Sequence, residues 1–192
     1  VYKSTDNDYK YEYAKQCFAM GKYQHASALL QDLVLLRKGR ETGQESLYLL
    51  AMAEYCNRDY ESASATFKKY YTSYPRGYFA EQACFYIGQS LYQSVPEPRL
   101  DQTPTMGALN AYQQFLDIYP DSRLRPVAQQ RLFDLQDNLV QKEYLSAELY
   151  YNLGGYFGNV NSNTESNYEA CIITSQNALK NFPFSKTFFP LI

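Results

Sequence analysis

Apolar and polar positions along the chain recur at a long, regular step. Aromatic residues stand at Tyr11, Tyr48 and Phe85, a 37-residue step taken twice. Phe18, Tyr55 and Tyr92 repeat it seven residues further on, with the small residues Ala14, Ala51 and Gly88 in between. A fixed period of this length predicts a helical-repeat solenoid, in which each repeat packs on its neighbours.

Within each period the apolar spacing is helical. Asp6 or Asn7 caps a helix predicted to reach about Met20, and Gly21 ends it. A second helix runs from Tyr23 to about Arg37, with Ala26, Leu29, Leu30, Leu33 and Leu36 at three- and four-residue spacing. Lys38-Gly39-Arg40 makes the turn. The next pair covers about 44–57 and 60–74, with Ala63, Phe67 and Tyr70 on one face and Pro75 as the stop. The third unit begins near Tyr78 and runs to about Ser94. Pro96, Pro98 and Pro104 then fall within nine residues, which predicts a stiff, exposed connection. The helix after it spans about 105–119, with Ala108, Tyr112 and Phe115 on one face.

The fourth unit departs from this plan. From Ser122 to about Tyr156 nothing forces a break, because Pro126 sits early enough to fit a first turn. Leu132, Leu135, Leu139, Leu145, Leu149 and Leu153 keep helical spacing, so one helix about twice the usual length is expected, its end beginning at Gly154-Gly155. Residues 159–167 read as an Asn/Ser-rich loop, and the last complete helix spans 168–181, closed by Phe182-Pro183. The whole chain, 1–192, therefore reads as a single helical-repeat domain. Its repeats fall at about 7–38, 43–75, 78–120 and 122–183, with 184–192 as the start of a truncated fifth.

Second helices share Ala, an apolar or aromatic residue four later, and Pro eight after that. Ala63-Phe67-Pro75 and Ala108-Tyr112-Pro120 fit, Cys171-Ser175-Pro183 fits weakly, and Ala26-Leu30 is followed by Lys38 in place of Pro. This is the tetratricopeptide pattern, in which small residues let paired helices approach and an aromatic fills the gap. The expected fold is an all-α, tetratricopeptide-like, right-handed solenoid of helix pairs.

Charge and composition narrow the function. A net charge of −2 argues against a broad nucleic-acid surface, and 21 tyrosines suit half-buried contact surfaces. No apolar run approaches the roughly 20 residues of a membrane span. Cys17, Cys56, Cys84 and Cys171 make no CxxC pair and fall in predicted helices, so buried free thiols are expected. The single histidine, His25, reads as a surface or boundary residue. No catalytic constellation, metal-ligand spacing or cofactor motif is present, and Asp59, Glu61 and Asp121 sit where helix capping explains them. A clamp for peptide carboxylates along the first helices would need basic residues and Asn there. The positions hold Tyr11 beside Lys15, then Met52 and Gln89.

Residues 99–156 carry a closer likeness. Arg99, Asp101 and Gln102 in the proline loop are followed by Phe115 and Tyr119-Pro120-Asp121-Ser122. Ala128, Arg131-Leu132, Leu135, Leu139, Glu143, Ala147-Glu148, Tyr150-Tyr151 and Gly154-Gly155-Tyr156 continue the series. This stretch resembles the BamD family, helical-repeat lipoproteins of the outer-membrane β-barrel assembly machine. The resemblance implies a non-enzymatic periplasmic protein held at the outer membrane by a lipidated N-terminal cysteine. All four cysteines here are internal, so that tether is expected before Val1. It also implies docking on a BamA-type partner and reception of unfolded barrel proteins by their C-terminal segments. Arg99, Asp101, Arg131 and Glu143 are candidate docking residues. Arg37-Lys38 and the 159–167 loop differ from that family's pattern.

The aromatic rows have two readings. By repeat register both sets lie on first helices facing the concave side. Tyr11, Phe18, Tyr48, Tyr55, Phe85 and Tyr92 therefore either pack between repeats or line a groove for an extended apolar peptide. In the fourth unit the same positions hold Gln130 and Asp137, so the row stops there. The competing function is a periplasmic repeat adaptor for cell-envelope or peptidoglycan machinery, which shares the Ala…Phe…Pro pattern. A further one is an accessory domain of a larger enzyme.

Overall fold

The computed structural model describes residues 7–36, 41–156 and 164–181. Among these, eight helices follow one another and no strand occurs: α1 (Asn7–Ala19), α2 (Tyr23–Leu36), α3 (Glu41–Cys56), α4 (Tyr60–Ser73), α5 (Ala80–Gln93), α6 (Thr103–Ile118), α7 (Arg125–Tyr156) and α8 (Thr164–Asn181). Each packs on the next in chain order. The fold is a tetratricopeptide-like all-α solenoid of helix pairs.

Three apolar clusters hold it together, each spanning more than one pair. Tyr11, Ala14 and Cys17 of α1 meet Ala26, Leu29, Leu30 and Leu33 of α2 and reach Leu50 and Ala53 of α3. Leu47 and Ala51 of α3, Ala63, Phe67 and Tyr70 of α4 and Ala83 of α5 form the second. Cys84, Phe85, Ala108, Tyr112 and Phe115 join Ala128 and Leu135 of α7 in the third. A helix stripe buried against both its partner and the next pair explains why the repeat cannot stand alone. Small residues permit the close approach. A Cβ on Gly88 would lie 3.0–3.1 Å from the Tyr112 ring. Of the four thiols, Cys17 and Cys84 are buried and Cys56 and Cys171 half-buried, all free; burial pushes the Cys84 thiol up to about 11.

The turns inside the first two pairs are built alike. Gly21 and Arg58, one period apart, both adopt left-handed backbone, at φ 75 and 63. The next amides close the same wide turn, Lys22 N–H to Cys17 O at 2.9 Å and Asp59 N–H to Glu54 O at 3.0 Å. An L residue in that conformation costs about 1–2 kcal/mol, and part of it returns as unfolded-chain entropy when glycine replaces it. Arg58→Gly should therefore raise Tm by about 1–4 °C in a thermal melt, and an unchanged or lower Tm would refute the strain.

Glu54 is a buried carboxylate between α2 and α4, and its Oε2 has no hydrogen-bond partner. Burial pushes its pKa up, Thr66 and Gln31 oppose this, Asp59 reinforces it and Lys69 opposes it. With the folded pKa above the unfolded one, stability from this group is full below the unfolded pKa and is lost as pH rises through the folded one. Glu54→Gln removes the buried charge and should stabilise at pH 7 by about 1–2 kcal/mol. The gap should close by pH 4. Urea titrations at both pH values check this, and a variant less stable than wild type at pH 7 would contradict it.

Several boundaries differ from those read in the pattern. The helix α3 begins three residues before 44. Pro104 lies inside the first turn of α6, so that helix begins at Thr103 instead of 105. Residues 164–167 belong to α8 instead of to the Asn-rich loop. The segments 37–40, 159–163 and 182–192, with the expected turn, most of that loop, Phe182-Pro183 and the truncated repeat, lie outside the described residues. The helix α7 runs 32 residues, through Gly154-Gly155.

Two predicted buried faces are corrected. Leu36 closes α2 at 62% exposed. On α7 the deeply buried positions are Ala128, Leu135, Val140 and Ala147, while Leu149 is 58% exposed. The helix changes partners along its length. Ala128, Leu132 and Leu135 pack with α5 and α6, and further on Tyr151 meets Tyr168 of α8 with ring centroids 5.9 Å apart. The buried seam turns with the change of partner, which a single leucine stripe cannot follow.

Candidate functional site

The six aromatic rings of the first helices do not form one open surface. Tyr11 and Phe85 are each only 6% exposed. The Tyr11 hydroxyl donates to Glu45 Oε2 at 2.7 Å, and Phe85 packs edge-on against Tyr86, Tyr112 and Phe115. Tyr48 is half-buried, stacked flat on Phe79 with centroids 4.3 Å apart, and burial pushes its phenol well above the usual tyrosine range. Tyr55 is half-buried between the edges of Tyr60 and Tyr86. Phe18 is half-buried against Tyr23. The row thus packs between units along much of its length. Half-buried edges of Phe18, Tyr48, Tyr55 and Tyr92 are left along it.

Tyr92 belongs to a polar junction between the third and fourth units. Its hydroxyl donates to Asp134 Oδ2 at 3.3 Å and accepts from Arg131 Nη1 at 3.2 Å. The Arg131 guanidinium stacks over the same ring, 4.5 Å from its centroid, and reaches Asp134 at 3.5 Å. The row's continuation on α7 is polar. Gln130 is exposed and donates to Asp134 Oδ1 at 2.8 Å, and Asp137 is half-buried.

The proline loop is braced from within. Gln102 is 4% exposed. Its Nε2 donates to Glu97 O at 2.8 Å and Leu100 O at 3.2 Å, and its Oε1 accepts from the Thr105 hydroxyl at 2.6 Å. Asn138 Nδ2 donates to Pro96 O at 3.3 Å, tying the loop to α7. Asp101 accepts from Thr103 N–H and Oγ1 at 3.2 and 2.9 Å. Those two bonds, then Lys142, hold its carboxyl below the usual range. Arg99 stands exposed on this loop and faces a cleft of about 450 Å³ against α7, lined also by Lys142, Leu145, Ser146 and Glu148.

The four candidate docking residues therefore separate. Arg99 lines the cleft and Asp101 organises the start of α6. Arg131 is engaged between α5 and α7, and Glu143 is half-buried on α7. The pattern did not reveal Gln102 as a buried brace or Lys142 as a cleft residue, because neither holds a position in the apolar spacing. A separate feature is the set of exposed apolar side chains on the last pair. Tyr144, Tyr151, Ile172, Ile173 and Leu179 are 44%, 62%, 55%, 55% and 50% exposed. Isolated apolar side chains on a surface are ordinary, and Tyr151 among these already packs on Tyr168.

Among the described residues no three His, Cys, Asp or Glu are placed to hold a metal, and no helix is long and apolar enough to cross a membrane. His25 is exposed on α2. Repeat pairs and an aromatic row packed along them make this a helical-repeat protein. The chain belongs to the outer membrane lipoprotein family YfiO, whose sequence model matches residues 3–186. No curated protein matches it.

Proposed function

We propose that the protein is a non-enzymatic scaffold of the outer-membrane β-barrel assembly machine, lipid-anchored at the periplasmic face of the outer membrane. Its C-terminal pair, α7 and α8, docks on a BamA-type partner. Unfolded barrel proteins are received along the first helices, over the half-buried edges of Phe18, Tyr48, Tyr55 and Tyr92. The observation that carries this reading is the match of residues 3–186 to a family of outer membrane lipoproteins. The exposed Ile172 and Ile173 support the docking part, since neither is needed for the core.

Ile172→Asp/Ile173→Asp should cut BamA recovery from solubilised envelopes at least ten-fold. Tm should stay within about 2 °C, as for surface changes. Undiminished BamA recovery would remove this surface from the docking site. Recovery of peptidoglycan enzymes in place of BamA by the wild-type chain would favour the envelope-adaptor reading.

A further inference from the structure

We propose that residues 182–192 lie along the first half of α7, in the groove that α7 forms with α6, and strap the fourth unit onto the third. This gives an occupant to a surface that the receiving and docking roles do not use.

Helix periodicity is the first ground. Tyr151 marks the face of α7 that meets α8, through its contact with Tyr168. Val140, about three turns earlier, and Phe133, about five turns earlier, fall on the same face. Val140 is buried, as is Ala178 of α8, whereas Phe133 is 48% exposed. Around Phe133 this face opens into a groove of about 570 Å³, lined by residues of α6 and α7. The seat of α8 thus continues along α7 beyond the helix that fills it.

The path of the chain is the second. Tyr151 lies near the end of α7 and Tyr168 near the start of α8, so the two helices run antiparallel. From Tyr168 to Asn181 α8 rises about 20 Å, which carries its end back to the level of Asn138 on α7. The residues that follow therefore start at the mouth of the groove, beside Gln136, and Arg125 at its far end is about 20 Å away. Residues 182–192 span about 36 Å when fully extended, enough to reach it. The third ground is chemistry. Leu116, Leu132 and Phe133 give the groove apolar surface, and its two charged residues already hold partners. Arg125 donates to Pro120 O at 2.9 Å, and Asp117 accepts from Gln113 at 2.9 Å. The segment offers Phe182, Phe184, Phe188, Phe189, Leu191 and Ile192 against the one charged side chain of Lys186. A segment tethered at the mouth of its site binds at high effective concentration, so few contacts hold it there.

The chain has no tryptophan, so Phe133→Trp puts a single fluorescent reporter in the groove of the full chain. Its indole should be shielded from acrylamide. Adding Phe188→Asp/Phe189→Asp should raise the quenching constant at least three-fold, with the helical circular dichroism kept. Where the Asp pair unfolds the helices, Phe189→Ser replaces it and is read in the same way. An indole freely quenched without the added change, or still shielded with it, overturns the strap. Shielding that fades on dilution also overturns it and gives the groove to a second copy of the chain. Shielding that appears only when an unfolded barrel protein is added overturns it too, and makes the groove part of the receiving surface.

Discussion

Tyr112→Ala is expected to lower stability by about 3–5 kcal/mol, the range for removing a fully buried aromatic. Tyr112 is 0% exposed in the third cluster. Its ring lies so close over Gly88 that a Cβ there would stand 3.0–3.1 Å from it, and it meets Phe85 at 5.8 Å between centroids. Its hydroxyl donates to Gln89 Oε1 at 2.6 Å, and Gln89 is itself only 8% exposed. Alanine would leave a cavity between α5 and α6 and a buried amide oxygen without its donor. Tyr112→Phe separates the two effects. It keeps the ring and removes only the donor, so about 1–3 kcal/mol should be lost. Burial is also the main cause pushing this phenol far above its ordinary pKa. Urea unfolding of the three proteins measures both terms. A loss under about 1 kcal/mol for alanine would mean that the site collapses freely around the gap.

Gln102→Ala is the second large effect, and it is local. The side chain makes three hydrogen bonds, to the Glu97 and Leu100 carbonyls and from the Thr105 hydroxyl. Thr105 is 0% exposed, so its hydroxyl cannot turn to water when the acceptor is gone. Loss of about 2–3 kcal/mol follows from the broken bonds and the stranded group. The loop should open well before the array does. Trypsin cleavage after Arg99 should rise at least ten-fold under native conditions, since cleavage of a locally opened segment tracks its open population. A cleavage rate equal to wild type would show that the prolines alone hold the loop.

The pattern read well where one interaction decides. Ala63, Phe67 and Tyr70, like Ala108, Tyr112 and Phe115, were placed on one face by spacing alone and are 0% exposed. The αL turn at Gly21 was signalled by its glycine, but the equivalent turn at Arg58 was not, because nothing local announces a left-handed arginine. Leu149 failed for a different reason. Its spacing is that of a core residue, and only the exchange of α6 for α8 as the partner of α7 takes it out of the seam. For the aromatic row, spacing put both sets of rings on one face, yet it could not say how far each would sink. Tyr11 and Phe85 are buried to 6% exposed, whereas Tyr48 and Tyr55 keep part of their edges.

By itself the sequence determined the helical repeat, its 37-residue step through the first three units, the eight helices of the described residues and the extra length of α7. Those features depend on apolar positions three and four residues apart and on the breaks between them, which a chain writes into its own spacing. Tertiary structure decided the rest. Gln102 turned inward, Arg131 bridged α5 and α7, Arg99 and Lys142 came to line one cleft, and Ile172 and Ile173 stayed exposed. Each of these joins residues that no period relates, or leaves uncovered a side chain whose burial depends on which helix comes to lie beside it.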